Sequence, residues 1–172
     1  MGVEIGSPFD KERDGPGGWW ILDEPELHLH DDAVVPDIAG WRRERMPKLP
    51  ETAWFKFAPD WVCEVLSPGT ARQDRVLRMP LYARCGVQYI WLVVEPVLLT
   101  LVIFENTGNG WLLLQAFEND NEVSVAPFAA ISLNLAVLWA DLRFAAWSVG
   151  FLAHPPKLNR CPPGCLPFNP GA

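Results

Sequence analysis

From residue 19 to residue 139 short apolar runs alternate with turn-forming residues, a rhythm of strands more than of long helices. The breaker DGPGG at residues 14–18 is followed by WWIL, the first strand. Beyond a turn at Asp23 to Pro25, ELHLH sets Leu27 and Leu29 against His28 and His30. Period two puts both imidazoles on one face of that strand. Ala33 to Trp41 predicts a further strand, entered through Asp31 and Asp32. Residues 42–59 are polar, contain Pro and lack a period, which predicts a surface connection with a helical turn near Glu51 to Lys56.

Asp60 to Leu66 (DWVCEVL) reads as a buried strand interrupted by one carboxylate, Glu64. Burying that charge alone is expensive, so a cation or a hydrogen-bonded base is expected beside it. SPGTARQD then supplies a turn and a helix start, with Ser67 or Thr70 as cap. The helix should point Val76, Leu77, Leu81 and Tyr82 inward, bend at Pro80 and stop at Gly86. QYIWLVV, LLTLVIFE and GWLLLQAFE predict three more strands, the last two joined by a hairpin at Asn106 to Gly110. Val123 to Val125 predicts a short edge strand, and Ile131 to Trp139 closes the domain.

Composition sharpens the boundaries. Residues 1–18 are rich in Gly, Pro and charge and read as a flexible arm; residues 19–141 form the domain. Beyond Asp141 no acidic residue remains and six Pro appear, so residues 142–172 read as a disordered tail carrying +3. No run of 18 apolar residues and no basic-then-apolar leader occurs, which predicts a soluble cytoplasmic protein with no membrane partner. Cys63, Cys85, Cys161 and Cys165 do not suggest regular disulfides, and the C-x3-C pair of the tail lacks further ligands at zinc spacing. Each of the nine Trp needs a large pocket with an exit for its indole N–H, so most belong to the core. A net charge of −7 argues against a protein that holds nucleic acid by a broad basic surface, and leaves room for transient DNA contact at a carboxylate-rich site.

The informative constellation is Val35-Pro36-Asp37 at one strand, Glu64-Val65-Leu66 at the next, and a helix bearing Asp74, Arg75 and Arg78. A hard divalent cation takes oxygen ligands at about 2.0 to 2.1 Å in near-octahedral geometry, which two strand carboxylates and a strand carbonyl can supply. Asp37, Glu64 and the Val65 carbonyl fit that role. Phosphodiester hydrolysis also needs positive charge beside the developing oxyanion, and Arg78 is the candidate. Its guanidinium can neutralise phosphate but does not serve as a base. Gln73 or Asp74 would orient the site.

The phrases GPGGWWILDEPELHL (15–29), VVPDIAGWRRERMP (34–47), APDWVCEVLSPGTARQDR (58–75) and LYARCGVQYIWLVVEP (81–96) resemble the putative restriction endonuclease family, a branch of the PD-(D/E)xK nuclease superfamily. The resemblance spans roughly residues 15–141. It implies an α/β fold, a restriction-endonuclease-like mixed β-sheet core with flanking helices, in which Asp37 and Glu64 match the metal-binding acids. It further implies a Mg²⁺-dependent endonuclease acting on DNA, with Mn²⁺ as a substitute. Two strands to be cut make a homodimer compatible with such a role. The family's Lys comes from the helix after the second acid, where this chain has Arg78, and Glu95 stands in the place of the family's Asp. The family's N-terminal helix before the Gly-Pro-Gly-Gly segment is largely missing. A catalytically inactive binding module is the alternative these departures leave open.

Three other features have bland readings beside the functional ones. His28 and His30 suit a shared metal but also a solvent-facing pair. Arg42, Arg43 and Arg45 form the one basic cluster, a solvated face or else a phosphate strip close to Asp37. Trp41 and Trp54 suit packing better than stacking on a base.

Overall fold

The computed structural model describes residues 9–10, 17–66, 74–94, 99–119, 121–137 and 139. The expected tail and the cap residues Ser67 and Thr70 lie outside these residues, as do Gln73, Glu95 and the Asp74 side chain. In chain order the strands are β1 (Trp19–Asp23), β2 (Glu26–Leu29), β3 (Asp32–Val34), β4 (Ile38–Arg42), β5 (Trp54–Phe55), β6 (Trp61–Leu66), β7 (Tyr89–Val94), β8 (Thr100–Asn106), β9 (Trp111–Glu118), β10 (Glu122–Val123) and β11 (Leu133–Asn134). Helix α1 (Met79–Arg84) lies between β6 and β7, and a π-helical turn, Asp74–Arg78, leads into it.

Six strands make the main sheet in the order β1-β4-β6-β7-β8-β9. β6 and β7 are parallel and the other neighbours antiparallel, so the sheet is mixed. A parallel pair needs a crossover, and the connection through α1 provides it. β3-β2-β5 form a second sheet, and β10-β11 a two-stranded one.

Alternation along β6 shows how both faces of the main sheet are covered. Trp61 and Cys63 enter one core with Trp19, Trp91 and Phe128, while Val62 and Leu66 enter the other with Leu27, Trp41, Leu81 and Tyr82. Two cores explain the apolar runs without polar alternation in β6 and β7. Gly40 in β4 is required by closeness: a Cβ there would stand 2.9 Å from Ile21 and 3.1 Å from Trp61. Trp20, Trp41, Trp91, Trp111 and Trp139 each donate an indole N–H to a backbone carbonyl at 2.9 Å. Trp61 has no such acceptor and packs edge-on to Trp91 and Phe128 instead.

Several expectations are corrected. Ala33 to Trp41 is not one strand: it splits at Val35-Pro36-Asp37 into β3, in the small sheet, and β4, in the large one. Pro36 cannot donate to a ladder, so pairing is interrupted there. The helical turn near Glu51 to Lys56 is replaced by β5, whose Phe55 is buried beside Trp41. Val76 and Leu77 are 58 % and 63 % exposed, while Met79, Leu81 and Tyr82 are buried. The π turn inserts an extra residue, which rotates the preceding positions away from the face that α1 buries. Pro80 sits in the first turn of α1, where its missing N–H costs nothing, and so does not bend it. Gly86 has φ +80°, the left-handed terminator expected. Within the stretch expected as an arm, Phe9 is 2 % exposed and Asp10 accepts from Arg43, so these two residues belong to the domain.

Candidate active site

β4 and β6 pair Ile38 with Cys63 and Ala39 with Val62. One further step of the same register sets Asp37 across from Glu64, with both side chains on the face that carries Trp41, Val62 and Leu66. Asp37 stands immediately before β4, in the break after β3, and its carbonyl accepts from the Glu24 amide at 2.9 Å. The Val65 amide donates to Asp37 Oδ2 at 2.6 Å, which clamps the carboxylate to the end of β6.

Glu64 is 1 % exposed. Its charge is met from the π turn and α1, four residues apart and on one side: Arg78 Nη1 donates to Oε2 at 3.0 Å and to Oε1 at 3.2 Å, and the Tyr82 hydroxyl donates to Oε1 at 2.7 Å. The base expected beside Glu64 is therefore Arg78. Tyr82 is the residue sequence reasoning placed in the core and not in the site, although its spacing of four from Arg78 was the available signal. Burial first, and then Asp37 and Glu64, push the Cys63 thiol well above its usual range, so it stays protonated on the opposite face of β6.

The donor set of Asp37, Glu64 and the Val65 carbonyl is all hard oxygen, and it fits a divalent cation. A strand residue's N–H and C=O point to the same side, so the carbonyl of Val65 shares the side on which its amide reaches Asp37. Among the described residues no group of three or more His, Cys, Asp or Glu gathers at metal-binding range.

The other candidates do not join this site. His28 stacks on Trp54 at 4.9 Å and contacts Glu26, while His30 falls in the turn after β2 with φ +57°. The left-handed turn ends the strand period, so the two imidazoles do not share a face. The arginine cluster is at the opposite end of β4 from Asp37, five residues and hence about 17 Å along an extended strand. It is also engaged. Arg42 lies over Trp19, Arg43 stacks on Trp20 and binds Asp10 and the Trp19 carbonyl, and Arg45 pairs with the fully buried Asp60. Trp41 is a core residue with its N–H on the Phe57 carbonyl, and Trp54 packs between His28 and Lys56.

Comparison with known proteins bears on the fold and the family. None of the curated proteins compared matches the chain. Among solved structures, a putative nuclease from Anabaena variabilis superposes with a TM-score of 0.63 at 24 % identity, over 80 % of this chain and 75 % of that one. The shared fold is restriction-endonuclease-like, a mixed sheet with few helices. Residues 8–137 match the model of the Uma2 family, described as putative restriction endonucleases. That match covers more than half of the sequence, and the chain belongs to this family.

Proposed function

We propose that the protein is a nuclease that hydrolyses DNA phosphodiester bonds with a divalent cation, Mg²⁺ before Mn²⁺, at Asp37, Glu64 and the Val65 carbonyl. The observation that carries this reading is the meeting of two strand carboxylates at one register step, beside a cation-bearing helix. When bound, the metal would polarise the phosphate and lower the pKa of a water. The chain's residues do the rest. The Val65 amide holds Asp37, Tyr82 fixes the rotation of the Glu64 carboxyl, and Arg78 places a permanent positive charge where a phosphoryl oxygen gains negative charge. Arg78 stays protonated throughout and moves no proton.

A second reading has its own observation. Arg78 already neutralises Glu64, its Nη1 donating to both oxygens, so a cation must compete with an ion pair inside the protein. This favours an inactive nuclease-fold module that binds a partner without cutting. Calorimetry with Mg²⁺ separates the two: binding that is lost in Glu64→Gln, together with DNA cleavage lost in Asp37→Ala, supports the nuclease. No binding at millimolar Mg²⁺ and intact DNA would leave the module.

A further inference from the structure

The main sheet ends at β9, an eight-residue strand paired with β8 on one side and with no described strand on the other. Natural edges are blunted by Lys, Pro or inward charges. β9 has none of these from Trp111 to Phe117, and its first charge is Glu118. Leu112, Leu113 and Leu114 are 51 %, 54 % and 36 % exposed. Leu112 lies across from Glu105 and Leu113 across from Phe104, and a register shift leaves Leu114 as the extra residue. The leucines therefore occupy both faces and the rim of the edge. Trp111 ties this end of β9 to α1 through its bond to the Met79 carbonyl, and exposed Val76 and Leu77 precede Met79 by three and two residues.

We propose that this edge is the contact for a second copy of the chain, β9 against β9 across a two-fold axis. Charge selects the occupant. An uncharged seam gives a nucleic acid no phosphate contact, while a chain of net charge −7 can approach its own copy only along a surface without like charges. Antiparallel pairing about a two-fold at Leu113 is isologous: Leu112 meets Leu114, Leu113 meets its copy, and the two Glu118 side chains fall at opposite ends. Area sets the strength. The strand spans about 27 Å, and an apolar patch of a few hundred Å² falls short of the roughly 800 Å² per partner of a tight interface. The dimer is accordingly a dissociable one.

Sedimentation velocity on the full chain, from low concentration up to about 100 µM, should show a monomer passing to a dimer. A Leu112→Lys, Leu113→Lys variant should dimerise on the order of a hundredfold more weakly, since like charges would face each other across the seam. Hydrogen exchange on the unaltered protein gives a readout that does not depend on the variant folding: β9 amides should gain protection as concentration rises. A protein that stays monomeric throughout, as it would if residues 142–172 of its own chain covered the edge, overturns the proposal. So does a dimer whose strength ignores the two lysines, or whose β9 amides are equally protected at all concentrations. None of these outcomes depends on nuclease activity.

Discussion

Asp60 and Glu64 are buried carboxylates four residues apart on one stretch of chain, 0 % and 1 % exposed, and each faces an arginine. Their surroundings differ. Asp60 is used up by structure: its side chain takes the Arg42 amide and Arg45, its own amide reaches the Gly40 carbonyl, and its carbonyl accepts from Gln88 and Tyr89. Every bond ties β4, β6 and the start of β7 together at one end. Glu64 is held by side chains of the π turn and α1, and a second carboxylate stands across from it. A buried acid with a basic partner is therefore no mark of a site. Convergence of two acids, one of them held by side chains, is the better mark.

The comparison breaks most sharply in activity. Asp37→Ala and Glu64→Gln should each lower DNA cleavage on the order of 10³-fold in a plasmid-nicking assay, a loss typical of removing one group that stabilises transition-state charge. Asp60→Ala should leave cleavage by the folded fraction intact but cost about 3 kcal/mol in urea unfolding, since Arg45 and the Arg42 amide lose their acceptor. Equal loss of cleavage in all three would erase the distinction. Arg78→Ala should destabilise the protein by about 2 kcal/mol, because Glu64 stays buried with only part of its compensation. Arg78→Lys should restore most of that stability and raise cleavage, as a compact, titratable ammonium approaches a reacting water where a guanidinium does not. An Arg78→Ala melting temperature unchanged from the parent would place the burden of Glu64 elsewhere. Tyr82→Phe has the smallest effect, about 1.5 kcal/mol for one hydrogen bond to a charged acceptor. Its cleavage loss should be modest, and greater at low Mg²⁺ if Tyr82 only orients Glu64.

Sequence alone showed the strands of the main sheet because their burial pattern follows directly from apolar period and turn residues. β6, β7, β8 and β9 begin and end within a few residues of the apolar runs. It also called for a basic partner beside Glu64, since a lone acid in an apolar strand demands one, and Arg78 is that partner. Asp60 was not visible: at the start of a strand an Asp looks like a turn residue, and only the fold brings four backbone groups and Arg45 around it. The split of β3 from β4 was hidden because Ala33 to Trp41 reads apolar on both sides of Pro36-Asp37, and only pairing partners distinguish two sheets. Val76 and Leu77 were misplaced because a π turn has no sequence period of its own. His30 was misplaced by one left-handed residue.

The break at Val35-Pro36-Asp37 carries a consequence for how the site is made. β3 belongs to the small sheet and β4 to the large one, so the first acid sits on the joint between two separately paired units. Its carbonyl accepts from the Glu24 amide, in the turn between β1 and β2, at 2.9 Å, while its carboxylate takes the Val65 amide at the end of β6. The small sheet packs through Leu27, Leu29 and Phe55 onto the face that holds Trp41, so loosening that packing should loosen Asp37 as well. If a cation binds at this joint as proposed, its affinity should fall as the packing between the two sheets is loosened, and its binding should stabilise that packing in return.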